Sequence, residues 1–580
     1  MGSPRLRVQF ETLFEHYDGK DCGVQLEEIT DILFCTRRNA RIVLNKMEEE
    51  GWIEWHPSPG RGKLSQLIFK RSRTDVSENL ARRYLEEGKI GQALRVLDDD
   101  PAKLAQVVES YLGVQHQEGL QVVRLPYYRP LSMLNPYKQM RRSEQHIARQ
   151  IFSGLTRLDE SEQLQPDLAH SWEQISAIHW RFYIRPGVRF HNGHLLSVDV
   201  IKSNFETLKT TRLFDHIDTV DSPSEWVVDI HLSKSDHALP LMLAEACAKI
   251  LLPESERAEN FDQFPIGTGP YKVIQNDEKR LILQAFDSYF GFRPLLDRVE
   301  VWVIDEVHSS MIFPSLSSPI KPEGNAFSDE VDLDPGCTYL LLNRKNGAAA
   351  DDSWASYLCN KLNTLNLFRQ LPQDKIVELG VLPAHGLKPG WYHQTLADDN
   401  VLPPGVKKIT IAYHGQHPMF PTLVKLIEST LRRDRLEVEL IKYDLTVADT
   451  RDVDIWIKPM GIANHRDDAL AGWLLDYSDI EALSKPEDFE YWSTLVDEWR
   501  AKAHTLFPAK ALAKSLVEQM QIVPMFHCWL GVSKDQCGSL QNAKCNALGW
   551  FDFSQVWVKP ELLGGQLDGK AKQETTNENG

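Results

Sequence analysis

Arg38, Arg41 and Asn45 recur at i, i+3 and i+7, the spacing that puts side chains on one stripe of a helix. Their chemistry suits base edges. An Arg guanidinium pairs bidentately with guanine O6 and N7, and an Asn amide does the same with adenine N6 and N7. Thr36 stands just ahead, where a helix N-cap is wanted, and Arg37 and Asn39 add donors to the first turn. Further on, Arg61 and Lys63 sit in the turn-forming run HPSPGRGK. Thr36, Arg37, Arg38, Asn39, Arg41, Asn45, Arg61 and Lys63 are therefore the candidate contacts to double-stranded DNA.

The elements that must position these groups follow in a readable order. Residues 4 to 17 predict a helix with Leu6, Phe10, Leu13 and Phe14 on one face, closed by Gly19. LEEITDILF predicts a second, with Leu26, Ile29 and Leu33 together. Thr36 caps a third that runs to about Glu50 and ends at Gly51; Ala40, Val43, Leu44 and Met47 converge on one side of it, opposite Arg38, Arg41 and Asn45. WIEW and SQLIFK then predict a hairpin tipped by Arg61 and Lys63. Three helices and a basic-tipped hairpin make a winged helix-turn-helix, whose third helix enters the major groove while the wing touches backbone or minor groove. Glu48, Glu49 and Glu50 lie at the helix end that points away. The DNA-binding domain is expected over residues 1–73. A helical connector follows over 74–118, with Leu80, Tyr84 and Leu85 facing Ile90, Ala93, Leu94 and Leu97.

Other apparent constellations carry less. His191 and His194 in HNGH read as a turn, GTGP has a proline where a phosphate-cradling helix would begin, and GRGK lacks the spacing of a nucleotide loop. There is no G-x-S-x-G and no H-E-x-x-H. No catalytic residue, metal ligand or cofactor is assigned, and the chain is expected not to be an enzyme. The eight cysteines are scattered without a C-x-x-C pair, which suggests neither a disulfide framework nor a zinc site.

Charge sharpens the division. Residues 1–73 hold 12 Lys and Arg against 11 Asp and Glu, a balance of +1, so the remainder carries −18 of a total of −17. An acidic body repels DNA, so nucleic-acid binding must be local to the head. The N-terminal residues lack the apolar run of a secretory signal, and no run of about 18 apolar residues occurs. A cytoplasmic location and no membrane partner are expected.

From about residue 120 the pattern changes to alternating strands and helices, rich in Trp and Pro: QVVRLPYY as a strand, RRSEQHIARQIFSGLTRLDE as a helix and turn, then a strand alternating Trp180, Phe182 and Ile184, and a helix capped near Ser197. LQPDLAHSWE, HWRFYIRPGVRFHNG with SVDV, FPIGTGPYKVI and YFGFRPLLDRVEVWVI resemble, in order, the signatures of extracellular solute-binding proteins of the oligopeptide and nickel uptake class. With the winged helix in front, and with RPLSMLNPY and ALGWFDFSQVW besides, the chain resembles the SgrR family of bacterial regulators along nearly its full length.

That resemblance implies an overall α/β architecture: a winged helix-turn-helix, a short connector, then a two-lobed periplasmic-binding-protein-like sensor over 119–562. Lobe one is expected at about 119–335 and 508–562, lobe two at about 336–507, and a disordered tail over 563–580. It further implies a transcriptional regulator that binds promoter DNA, senses a small-molecule effector such as a sugar phosphate, activates a small regulatory RNA gene while restraining its own, and has RNA polymerase as a further partner. Within the sensor, Tyr127, Tyr128 and Arg129 end a strand where a cleft is expected, and Arg129 could grip a phosphate. Trp456 and Trp550 offer rings that could stack on a sugar face, but a buried Trp is more often plain core, and core is the favoured reading for each. The alternative is a cytoplasmic peptide- or sugar-binding protein whose winged helix recruits another protein.

Overall fold

The computed structural model describes residues 4–58, 63–86, several positions between 89 and 112, 113–117, 119–304, 331–393, 401–415, 417, 419–443, 452–476, 478–531 and 539–560. The chain divides into two compact units, 1–112 and 113–580.

The first unit is built from α1 (Pro4–His16), β1 (Cys22–Val24), α2 (Leu26–Ile32), α3 (Arg37–Glu49), β2 (Ile53–His56), β3 (Ser65–Phe69) and α4 (Arg73–Glu86). The apolar face expected of the first helix is buried through Leu6, Phe10 and Leu13, and it meets Ala40, Val43, Leu44 and Met47 of α3 in one core. Gly19 closes α1 as expected. Its amide donates to the Phe14 carbonyl at 2.7 Å with φ +63°, and a Cβ there would lie 2.4 Å from the Phe14 ring. α3 ends in a Schellman turn: Gly51 takes φ +69°, its amide donates to Glu48 O at 2.9 Å, and the Trp52 amide donates to Met47 O at 2.9 Å.

The wing hairpin is present as β2 and β3, and β1 adds a third antiparallel strand beside β3, pairing Cys22 with Leu67 and Val24 with Ser65. That strand was not anticipated. α4, placed in the connector, belongs to the same unit: Val76 enters the winged-helix core, and Arg7 on α1 donates to Val96 O at 2.8 Å. Ile90, Leu94 and Leu97 lie outside the described residues.

The second unit opens with β4 (Gly113–Gln117) paired to β5 (Leu120–Tyr127), so the sensor begins about six residues before the expected 119. β12 (Tyr271–Asn276), β13 (Arg280–Ala285) and β14 (Arg298–Val303) complete a five-stranded sheet in the order β12-β13-β14-β5-β4, with β14 and β5 parallel. α5 (Arg142–Ile151) packs into its core. Between β5 and β12 in the chain, β6 (Thr156–Leu158) and β7 (Leu164–Pro166) form a short antiparallel pair, and β8 (Ala169–Ser176), β9 (His179–Ile184), β10 (Ile217–Ser224) and β11 (Val227–Leu232) form a four-stranded antiparallel sheet in the order β10-β11-β9-β8. Trp180, Phe182 and Ile184 alternate inward as the sequence pattern requires. Ser197 accepts a 3.3 Å hydrogen bond from the Val200 amide at the start of α6 (Val198–Leu208).

Two signature turns explain each other. In FPIGTGPYKVI, a Cβ on Gly267 would stand 2.1 Å from Ile151 O, and one on Gly269 2.5 Å from Ile151 C, so only glycine lets the α5 terminus close over this loop. His191 of the HNG turn spans the same loop, with Nε2 3.0 Å from Gly269 O and Nδ1 accepting from the Gly267 amide at 3.3 Å.

The second lobe is one sheet, β15-β21-β16-β20-β18-β19, with β17 also on β21. Its strands are β15 (Val331–Leu333), β16 (Thr338–Leu342), β17 (Val381–Pro383), β18 (Lys408–His414), β19 (Glu437–Tyr443), β20 (Ile455–Pro459) and β21 (Ile522–Gly531). Every residue of the central β16 is buried. Tyr339, Leu341 and Trp456 face one core and Leu340, Leu342, Ile455 and Ile457 the other.

The expected return to lobe one at 508 does not hold. β21 is hydrogen-bonded to β15, β16 and β17, and only residues 539–560 rejoin the first lobe, where Trp550, Phe551 and Phe553 fill its core. Pro524 sits at a register shift between β21 and β16, the irregularity that tolerates proline inside a sheet. The stretches 305–330 and 561–580, the second containing the expected disordered tail, fall outside the described residues. Among the described residues no helix is long and apolar enough to cross a membrane.

Candidate DNA-reading face and ligand cleft

On α3 the Thr36 hydroxyl caps the helix by accepting from the Asn39 amide at 3.3 Å, which contributes about 1 kcal/mol to a helix end. The cap fixes where the helix begins. Arg37, Arg38, Arg41 and Asn45 are exposed, Asn39 is half-buried, and Lys63 on the wing is exposed. Arg61 lies outside the described residues. Arg37 is ion-paired with Glu27 of α2, so of the three arginines it alone is shown tied to a neighbouring helix. The acidic end of α3 is also partly occupied: Glu48 accepts from the Trp55 amide at 3.0 Å, and Glu50 pairs with Arg83 at 3.0 Å. Those two carboxylates brace the wing and α4.

Sequence reasoning missed two apolar members of this region. Ile42, three residues before Asn45 and four after Arg38, is 45% exposed on the same stripe. Phe34, in the turn between α2 and α3, is 96% exposed and holds φ +47°. The expected second helix, run on to residue 34, stops at Ile32 because of that left-handed residue. A bulky side chain in this conformation is a strained exception and a pointer to function. The available signal was that Ile42 falls off the buried stripe.

In the sensor, a cavity of about 20 Å³, enough for about one water, lies between the lobes. Gln145 on α5 and Glu245 with Ala246 line it from the first lobe. Gly461, Ile462 and Ala463 line it from the second, with Ala469, Gly472, Trp473 and Asp476 of α7 (Ala469–Asp476). A Cβ on Gly472 would stand 3.3 Å from the Glu245 carboxyl, so this glycine lets the two walls approach. The lobes are stitched together by further contacts. Arg149 donates to Ala463 O at 3.3 Å, the His465 amide donates to Glu162 at 2.6 Å, and Lys234 pairs with Asp497 at 2.8 Å. A buried cluster adds His216 to Asp236 at 2.9 Å and Arg500 to Asp236 at 3.6 Å.

The cavity is acidic. Burial pushes the Glu245 carboxyl up to about 7 against the pull of Arg149, with Asp476 and Asp468 adding to the rise. Asp476 keeps contact with solvent, yet the protein packed around it pushes its carboxyl up to about 6, opposed by the Cys247 thiol. Trp473 is buried with its indole N–H unpaired. A donor without an acceptor beside two carboxyls is the equipment for a polar ligand.

The aromatic and basic positions singled out in the sequence go elsewhere. Tyr127 and Trp550 are core, their rings 5.3 Å apart and both hydrogen-bonded to Ser143 Oγ, at 2.5 and 3.1 Å. Tyr128 lies tilted against Tyr127, ring centroids 4.6 Å apart at 41°. Arg129 is buried with both arms of its fork on Glu144, which leaves no fork for a phosphate. Trp456 is buried under Lys458 Nζ at 4.9 Å and beside Tyr443 at 5.6 Å, with its indole N–H unpaired. None of the five lines the cavity. The structure gathers Tyr127, Tyr128, Arg129 and Trp550 in one place, but as interior.

A winged helix on the same chain as a two-lobed body with a polar cavity between its lobes has the build of a one-component regulator, reader and sensor in one polypeptide. Comparison with known proteins supports that class. A family described as "Sugar transport-related sRNA regulator N-term" matches residues 5–119, and "Bacterial extracellular solute-binding proteins, family 5 Middle" matches 163–311. The HTH-type transcriptional regulator SgrR of Shigella dysenteriae is 35% identical over 568 residues, 97% of this chain and 99% of its own. That of Yersinia pseudotuberculosis is 33% identical over 97% and 100%. Among solved structures, the chain is similar to NikA from Brucella suis in complex with Fe(III)-EDTA (TM-score 0.55, 17% identity, 76% of this chain and 100% of that one). It is also similar to the periplasmic binding protein DppA from Helicobacter pylori in complex with peptide STSA (TM-score 0.60, 15% identity, 76% and 98%). The chain belongs to the SgrR family of transcriptional regulators.

Proposed function

We propose that this is a cytoplasmic, ligand-responsive transcriptional regulator: residues 1–112 bind promoter DNA and 113–580 sense a small metabolite between two lobes. The observation that carries it is the exposed Arg38–Arg41–Asn45 stripe on a capped helix, borne by the same chain as a cavity lined from two lobes. Arg38, Arg41 and Asn45 read base edges, Thr36, Arg37 and Asn39 set the helix start against the backbone, and Arg61 and Lys63 hold the wing on phosphate. Family membership supports sugar-phosphate stress as the trigger, a small regulatory RNA gene as the target, and RNA polymerase as a partner.

The cavity as it stands holds about one water, so an effector enters only as the lobes part; its lining then favours contact through hydroxyl or other donor groups to Glu245, Asp476 and Gln145, with the Trp473 N–H donating in return. Arg149, whose charge is felt at Glu245, is the nearby cation for an anionic group. The test is a mobility-shift titration of the full chain on its own upstream DNA, with and without sugar phosphates, matched free sugars and short peptides. A regulator binds at low salt and changes affinity with one ligand class; no binding at low salt removes this reading.

A further inference from the structure

The outer face of the four-stranded sheet carries a cluster that the regulator does not need for reading DNA or closing a cleft. His179 on β9 and His231 on β11 are directly opposed across the antiparallel pair, and their rings stack at 4.2 Å and 27°. Asp229 precedes His231 by two residues, hence on the same face, and its Oδ2 is 3.3 Å from His179 Nε2. The donor atoms of these three residues all lie within 4.8 Å of one another. From a third strand, β10, Asp221 stands opposite Asp229 and brings Oδ2 to 3.7 Å from His231 Nε2.

The geometry points to a binding site for a first-row divalent cation of the zinc, nickel or copper group, with His179, His231 and Asp229 as ligands and Asp221 closing the fourth position. Zinc bound by imidazole nitrogen and carboxylate oxygen at about 2.0–2.1 Å in a tetrahedron holds neighbouring donors roughly 3.3–3.4 Å apart. The spacings of 3.3 and 3.7 Å already stand near that edge. Two imidazoles select borderline metals over magnesium or calcium, which take oxygen.

Two observations separate this from an ordinary ladder of charged pairs. His179 Nε2 is buried and faces Asp229 Oδ2 at 3.3 Å without the alignment of a hydrogen bond, so its lone pair remains available to a metal. Asp229 is held from its far side by Arg181, whose Nε and Nη2 donate to its two oxygens at 2.7 Å each, the outer support that orients a ligating carboxylate. The Arg181 charge weakens the site without filling it. None of these residues lines the inter-lobe cavity, so the cation would pin three strands of one sheet and not touch the effector.

The experiment uses the full chain, stripped with chelator, titrated with Zn²⁺ by calorimetry and with Co²⁺ by visible absorption. One equivalent is expected at this site. Its Co²⁺ spectrum should show weak visible bands and none of the strong ultraviolet absorption of a thiolate ligand. His231→Ala and His179→Ala should each weaken binding at least about tenfold, and Asp221→Asn, at an exposed position, should weaken it less. Zn²⁺ should raise the melting temperature of the wild-type chain and leave that of the double His variant unchanged. Absence of binding, binding unaltered in the His179→Ala/His231→Ala variant, or a thiolate-type Co²⁺ spectrum overturns the assignment.

Discussion

Arg142 on α5 donates from Nη2 to Asp334, joining a helix of the first lobe to the residue just after β15 in the second. The carboxylate is buried, its other oxygen accepts from the Gly336 amide at 3.0 Å, and its own amide donates to Cys528 O at 2.9 Å. Burial pushes the Asp334 carboxyl up, against the downward pull of Arg142. Breaking such a pair strands a charge in the interior. Asp334→Ala should therefore lower stability by about 3–5 kcal/mol, whereas Arg142→Met combined with Asp334→Leu should lose much less. Urea unfolding followed by tryptophan fluorescence measures both. Equal losses would mean that the pair does not carry the connection.

On the DNA side, Arg38→Ala and Arg41→Ala should each weaken promoter binding by about 1–3 kcal/mol if they contact bases, and flatten the salt dependence by about one counterion if they contact phosphate. Arg37 starts out paired with Glu27. Glu27→Gln should thus tighten binding, by freeing a cation and removing an anion. Titrations at several salt concentrations separate the two roles. Tightening by Glu27→Gln that is absent at low salt, where electrostatics are strongest, would contradict the argument.

Glu245 predicts a dependence on pH. Its carboxyl rises in the folded chain from 4.5 to about 7, so between those values the folded state holds a proton that the unfolded chain releases. The stability this contributes is complete below about 4.5 and is lost as pH rises through 7. Glu245→Gln, neutral at every pH, should therefore gain on the wild type between pH 5 and pH 8. The gain should be on the order of 1–2 kcal/mol, since a half-buried carboxyl keeps some water. Melting temperatures at the two pH values decide it; a constant difference sinks the idea.

Phe34 predicts a trade. Its left-handed backbone costs about 1–2 kcal/mol for a residue with a Cβ, and its ring is almost wholly in solvent. Phe34→Gly should relieve that strain and stabilise the winged-helix unit by roughly 1 kcal/mol, net of glycine's greater freedom when unfolded. If the ring is kept for contact with a thymine methyl or a partner, the same variant should bind promoter DNA or transcribe less well. A variant that is less stable would show that the ring packs on something.

How much of this was readable follows from where each signal lives. The candidate DNA-reading helix was legible because a 3.6-residue period sorts Ala40, Val43, Leu44 and Met47 from Arg38, Arg41 and Asn45 within a single turn-by-turn pattern. β1 was not: three residues cannot announce a strand, and Cys22 to Val24 become one only by pairing with residues more than forty positions away. β21 misleads in the other direction, since Pro524 argues against a central strand until its register shift is seen. The candidate cavity was illegible because Glu245 and Asp476 come to line one space only through packing of the lobes. Trp473 reads as one more apolar residue of ALAGWLLD. Tyr127, chosen from a strand end, and Trp550, from the GWF near the C-terminal end of the sensor, both pack inward, where a large ring buries its whole surface.

The late arrival of β21 and of residues 539–560 has a consequence for synthesis. Each sensor lobe takes an essential piece from the last tenth or so of the chain, whereas the winged-helix unit is assembled from contiguous residues near the start. On the ribosome the reader is complete hundreds of residues before either lobe can close. A stalled or truncated product would therefore carry a finished winged-helix head on an unfinished sensor.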